Sequence, residues 1–468
     1  MNFKKIIVAT MLVGLLTGCK DIREQIISPL PQPLPSLNRL TTPTTEKVIN
    51  FREAKTMSQK TFDSYNAFAK KFSSLMFKVN NSTDEKSMAV SIPDAYICLA
   101  VTAAISTDAA RNDILSYLEL DNLVELKTAA LEIIGCLCTL REGPEGELSG
   151  GYNLNSLWLD PKQVNLLPKD NDLYKDLEDI FDASLYYEAL TNKNVEQYFE
   201  ENKLENLPIP AIELDDDNPA ALSVMSVYYC IDRYNASRRQ YLLNQYASKT
   251  HLMDYYINNV LSKQNYIERN DYINVYEGED FHGTYYSIEN LSAQFFLPDD
   301  RDTMPSAILE DVIEENYENK IGTVYYEGID KEYETTTFDV TLKAPYFSID
   351  NDCKLEHEDL KKIFPNITSE GAGERIAKSK EEGFSLYLNS IEQFSTMKFD
   401  YEGFYSCSAT LASVAPGAAL TPTYEKFDLT LDHPYLFKIQ KSVCLDKEKI
   451  KWDVLPIVIG EVVDPNYK

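Results

Sequence analysis

Histidine and tryptophan are scarce in this 468-residue chain, with four and two copies, and basic charge is outweighed, 45 Lys and Arg against 74 Asp and Glu. The resulting formal net charge of −29 repels phosphate backbones and anionic headgroups alike, so nucleic acid is excluded as a partner and a membrane surface is not bound through charge. The histidines, at 251, 282, 357 and 433, form no H-E-x-x-H pair and leave a catalytic base or metal cluster few places to arise. His357 lies in the charged stretch Leu355-Glu-His-Glu-Asp-Leu360, which reads as a solvated helix start. The chain also lacks G-x-S-x-G, G-x-x-x-x-G-K-[ST] and a dinucleotide fingerprint. The segment Ser369-Glu-Gly-Ala-Gly373 has no phosphate-binding lysine, and the clusters Asp215–Asp217 and Glu277–Asp280 read as solvated surface. No enzyme, cofactor or metal is expected.

Cysteine is present without a pattern. Apart from Cys19, the thiols at 98, 136, 138, 230, 353, 407 and 444 are odd in number and contain no C-x-x-C pair, which argues against a disulfide framework. Several lie in apolar runs such as Ile133–Cys138, where a free thiol behaves as a small hydrophobe. At the start, Lys4 and Lys5 precede an apolar run from Ile6 to Leu16 and then Thr17-Gly18-Cys19. The run is too short to span a bilayer and has the form of an export signal. Its ending resembles the lipobox of bacterial lipoproteins, which implies that Cys19 carries lipid and anchors the exported chain to the outer face of a bacterial membrane.

What the chain does have suffices for a large core, with 44% hydrophobic residues including 31 Tyr and 20 Phe. Residues 1–19 read as signal, 20–56 as a linker stiffened by the prolines of Ser28–Ser36 and Pro43, and 57–468 as one continuous domain of about 410 residues. Its first half is helical in period. Phe68, Phe72, Leu75 and Met76 mark one face within 62–77, and 126–138 is a buried apolar helix. From about Leu222 the segments 222–229, 338–342 and 397–401 are strand-sized and alternating or wholly apolar. Helices first and strands later predict an α+β fold.

One stretch departs from the rest. Residues Gly403 to Tyr424 carry no charge, where average composition would supply roughly five charged residues. Small side chains fill its first part, including Ser406, Ser408, Thr410, Ala412 and Ser413, and Pro416, Gly417 and Pro422 interrupt its end. Such a ribbon suits an exposed loop or a strand able to slide between two others.

The flanks of the ribbon resemble those of the reactive loop of serpins. Met397-Lys-Phe-Asp-Tyr-Glu-Gly403 is similar to the family's strand end and E-E-G hinge, and Ser408-Ala-Thr410 to its A-A-T. Leu431-Asp-His-Pro-Tyr-Leu-Phe437 is similar to its D-H-P-F-L-F strand, and Ile459-Gly-Glu-Val-Val-Asp-Pro465 to its closing G-x-V-x-x-P. Further matches at Asn66–Phe68, Leu154–Trp158, Leu222–Tyr229, Phe296–Pro298 and Ala344–Phe347 extend the likeness over residues 60–466. The resemblance implies the serpin fold, an α+β arrangement of three β-sheets with about eight or nine helices.

It also implies a mechanism. A protease takes the loop as substrate, and the hinge side, Glu402, Gly403, Phe404, Ser406, Ser408 and Thr410, enters the main sheet as a new strand. Inserting 403–417 would carry the attached enzyme roughly 50 Å at ~3.3 Å per residue. The reactive bond falls at Gly417-Ala418, with Ala419-Leu420 as the neighbouring choice, and its small residues suit an elastase-like or subtilisin-like protease. The expected protein is a monomeric surface inhibitor of serine or cysteine proteases. Five positions depart from the pattern, one of them Tyr405, which replaces an acidic residue. Phe404 stands where inhibitory members keep a small residue, Met225 and Gln393 replace an asparagine and a histidine beneath the main sheet, and Arg233 replaces a tryptophan at the loop's entry. These departures keep open a second expectation, a non-inhibitory surface module of the same fold.

Overall fold

The computed structural model describes residues 37–40, 56–80, 86–138, 141–142, 148–202, 212–234, 236–248, 251–257, 260–287, 291–326, 331–405, 422–446 and 451–465. The helices come first because the apolar residues there recur at helical spacing. Helix α1 (Gln59–Asn80) buries Tyr65, Phe68, Phe72 and Met76 along one stripe and leaves Lys70 and Lys71 outside. Helix α2 (Pro93–Ile105) opens on a proline, which supplies helical φ where no hydrogen bond is lost, and is buried on nearly every side. Helix α3 (Leu123–Leu137) starts at Asn122, whose side chain accepts from the amides of Val124 and Glu125. Nine helices are present among the described residues.

The strands follow in an order that leads to the loop. Strands β1 (Leu148–Leu159), β2 (Ala183–Tyr186) and β3 (Leu222–Arg233) precede β4 (Val260–Glu277). Next come a hairpin of β5 (Gly322–Tyr326) and β6 (Glu332–Thr335), then β7 (Thr337–Pro345), β8 (Phe347–Leu355) and β9 (Ile391–Asp400). The three-residue β10 (Gly403–Tyr405) follows, and after the loop β11 (Pro422–Tyr424), β12 (Lys426–Thr430), β13 (Tyr435–Asp446) and β14 (Lys451–Val462).

These strands make two large sheets and two small ones. In the seven-stranded main sheet the central order is β8, β9, β10, β3, β1, with β2 parallel to β1 at one margin. The ten-stranded sheet holds β13 and β14 at the interior and β4, β7 and β12 toward its far end. The small three-stranded sheet joins β6, β5 and β11. Register in the second sheet is set by side-chain volume. Gly460 lies opposite Phe437, and a Cβ there would come within 2.3 Å of that ring, so only glycine lets the two strands close.

Residues Asn38–Leu40, inside the stretch read as a linker, lie along β2. Arg39 bridges to Tyr186, the amide of Leu40 donates to the carbonyl of Leu185, and Arg39 Nη2 donates to Ser184 Oγ at 2.7 Å. Cysteines 98, 136, 138, 353 and 444 form no disulfide. Cys230 is disulfide-bonded, a pairing that the odd and irregularly spaced cysteines argue against. His357 opens a helix, Leu360 ending it, but its Nε2 is held by the carbonyl of Thr368 at 3.0 Å and its ring meets Tyr387 edge-on. Among the described residues no helix is long and apolar enough to cross a membrane, and no His, Cys, Asp and Glu cluster is placed to hold a metal.

Candidate functional site

The site begins at the turn after β9. Asp400 is wholly buried, its Oδ1 accepting from the amide of Glu402 at 2.7 Å and its Oδ2 lying 2.8 Å from Lys398 Nζ. Burial pulls the Lys398 ammonium down, but the hydrogen bond and charge of Asp400 outweigh it and hold the group above its ordinary value. The carbonyl of Glu402 accepts from the amide of Tyr234, just beyond β3, at 3.1 Å. The turn is thereby fixed to strands on both sides.

Gly403 follows with φ +135°, a region closed to residues with a side chain. A Cβ there would sit 2.2 Å from the carbonyl oxygen of Asp232, so this position needs glycine for both backbone and space. From this point the chain runs as β10 between β9 and β3. Asp400, Phe399 and Lys398 face Gly403, Phe404 and Tyr405 on one side, and Arg233, Asp232 and Ile231 face them on the other.

Phe404, which the sequence presents as a bulky misfit, is 1% exposed in the structure. Its ring lies 6.2 Å from Phe399 and 6.4 Å edge-on from Phe347, in a cluster that continues through Phe437 and Tyr435. The ring is accommodated because these neighbours leave an aromatic niche, where a flat side chain packs at low cost. Beyond Tyr405 the inner edges of β3 and β9 have no partner among the described residues.

The downstream end of the ribbon is held differently. Strand β11 pairs with β5, Tyr424 opposite Val324 and Pro422 opposite Tyr326. The ring of Tyr424 lies 5.1 Å from that of Tyr272, and Glu425 Oε2 accepts from the amide of Thr323 at 3.1 Å. The chain then passes through β12 to Asp432-His433-Pro434. His433 is buried, with Nδ1 2.8 Å from Asp432 Oδ1 and Nε2 2.9 Å from the carbonyl of Pro298. Asp432 is also bonded to Arg301. Burial raises the Asp432 carboxyl, yet His433 and Arg301 bring it below its usual range. The D-H-P motif is thus a structural clamp joining two parts of the ten-stranded sheet.

Of the sequence-derived site residues, Glu402, Gly403 and Phe404 come together at the head of the main sheet. Ser406, Ser408, Thr410, Gly417, Ala418 and Cys19 lie outside the described residues. Arg233 stands opposite Gly403, while Met225 is half-buried in β3 opposite Ser156. Gln393 is buried on β9 and bonds to Ser91. Sequence reading passed over Ser91 and Asp94, which surround that amide. Their proximity arises only in the fold, and the lone acid at the start of an apolar helix was the one signal of it.

No family model matches the chain. A curated relative, Serpin-ZX of Arabidopsis thaliana, is 24% identical over 382 residues, covering 79% of this chain and 90% of its own length. Among solved structures, Arabidopsis AtSerpin1 in its native stressed conformation superposes with a TM-score of 0.60 at 17% identity, covering 88% of this chain and all of its own. The thermophilic serpin tengpin in its native state gives 0.58 at 16%, covering 89% and 97%. The protein has the serpin fold.

Proposed function

We propose that the protein is a serpin-type suicide inhibitor of serine or cysteine proteases, and not an enzyme, displayed on a bacterial surface through lipid on Cys19. The observation that carries this reading is β10. The first three residues of the uncharged ribbon already form a strand between β3 and β9 in a defined register, with Gly403 and Phe404 buried. Both flanking edges continue past it without partners among the described residues. A strand extending β10 along them satisfies backbone groups on two sides, each hydrogen bond contributing about 1 kcal/mol. That gain is the drive the mechanism needs once the loop is cut.

The cut falls at Gly417-Ala418, or one step on at Ala419-Leu420, and the small apolar residues there match an elastase-like or subtilisin-like enzyme. Incubation with such proteases is expected to give a covalent complex that survives boiling in detergent. Clean cleavage with protease activity fully retained overturns inhibition. In that case the melting temperature before and after cleavage decides what is left. A large rise keeps strand insertion, and no rise identifies a serpin-fold binding or structural module.

A further inference from the structure

The three-stranded sheet of β6, β5 and β11 takes in the ribbon's own end, since β11 holds Pro422, Thr423 and Tyr424. Its two faces differ in kind. Residues opposite one another across paired strands share a face, and one row sets Val324 between Tyr333 and Tyr424. Val324 is buried, the Tyr424 ring lies against Tyr272 of β4, and a Cβ on Gly322 would strike the Phe338 ring of β7. This face seats the sheet on the body.

The other face looks outward. One row sets Tyr325 between Glu332 and Thr423, and the next pairs Thr323 with Glu334. Glu332, Glu334 and Thr423 are exposed, as is Glu425 just past β11, whose carboxylate accepts from the Thr323 amide at 3.1 Å. Tyr325 stands at the centre, 45% exposed, and donates its hydroxyl to Glu332 Oε1 at 2.8 Å. That bond, with the charges of Glu332 and Glu425, holds the phenol above its ordinary value. The lysines adjacent in sequence do not neutralise the face. Lys331 lies over the Tyr333 ring, 5.1 Å from its centroid, and Lys426 stands opposite Asp339 in β12. Among the described residues none of the three carboxylates forms an ion pair. Like charges gathered in this way are unfavourable until something basic covers them.

Given the reading of the ribbon as bait, on which this rests, we propose that the outward face is an accessory contact for the protease that takes the ribbon, and that it selects an enzyme whose surface beside the active-site cleft is basic. Thr423 lies five residues beyond Ala418, a reach of at most ~17 Å at ~3.3 Å per residue. An enzyme domain of about 200 residues has a radius of gyration of about 16 Å, so one seated on Gly417-Ala418 meets the sheet. There the carboxylates speed its approach through charge. The Tyr325 ring offers contact area at small entropic cost and slows its departure. Small residues at the bond admit many proteases, and the sheet face narrows them to cationic ones.

The test uses the full chain and two elastase-like proteases, one of basic and one of acidic net charge. The rate of attack on the ribbon is read from the appearance of cut or trapped chain, so it is defined whether or not the enzyme is inhibited. Glu332→Gln/Glu334→Gln is expected to slow the basic protease roughly tenfold at low salt, to leave the acidic one no slower, and to lose its effect near ~1 M salt. Tyr325→Ala is expected to weaken binding of the basic protease, its active-site serine replaced by alanine, about tenfold. Glu381→Gln/Glu382→Gln removes the same charge from an exposed segment before β9 and should alter neither rate by more than about twofold. Should the first double variant fold poorly, Glu334→Gln alone serves, with a loss of about threefold. Equal slowing by the two glutamate pairs, equal slowing of both proteases, or no slowing overturns the proposal and leaves the bait reading standing. Clean cleavage that keeps the tenfold difference supports the proposal and overturns inhibition alone. A ribbon that neither protease cuts overturns both.

Discussion

The two feet of the uncharged ribbon are built on opposite principles. The upstream foot is buried, with Gly403 fitted against a carbonyl, Phe404 in an aromatic niche and Asp400 fixing the turn. The downstream foot lies on a small sheet whose Tyr325 and Tyr333 are exposed, held by a tyrosine pair and a surface carboxylate. One end is committed to the core and the other rests on the surface. The upstream foot is therefore anchored by packing and backbone geometry, and the downstream foot by surface contacts.

Substitutions that attack each foot test the contrast. Phe404→Ala empties a closed aromatic site and is expected to cost about 3–5 kcal/mol in denaturant unfolding. A loss near zero would mean that β10 contributes nothing to the native sheet. Gly403→Ala should follow at about 2–3 kcal/mol, since it forces a side chain onto a positive φ and against the Asp232 carbonyl. At the other foot Tyr424→Ala removes a half-exposed ring pair and is expected to cost about 1 kcal/mol. Equal losses at Phe404 and Tyr424 would erase the distinction between the feet.

Much of the architecture was legible in the residues. The stripe of Phe68, Phe72 and Met76 in α1 and the apolar run of α3 mark buried helices because packing demands that spacing. The run at 222–229 extends to Arg233, and the segment read at 397–401 is the end of a longer strand that starts at Ile391 and stops at Asp400. The hairpin of β5 and β6 was passed over, β5 being only five residues long and β6 short, largely exposed and charged. Gly403 was noticed through its motif, but its reason, the Asp232 carbonyl, belongs to a distant strand. The same holds for Gln393, which as sequence is a departure from a pattern and as structure is an amide gripping Ser91 across 302 positions. Pairings of that separation leave no periodic trace.

The short run Asn38–Leu40 against β2 has a consequence for life at high concentration. A sheet margin with free amides and carbonyls invites a neighbouring molecule to add its own strand, and here Arg39 and Leu40 occupy part of that margin first. Trimming the chain to begin after Leu40 would uncover backbone groups of Leu185 and Tyr186 and favour self-association at the rim, which light scattering of the two versions would reveal.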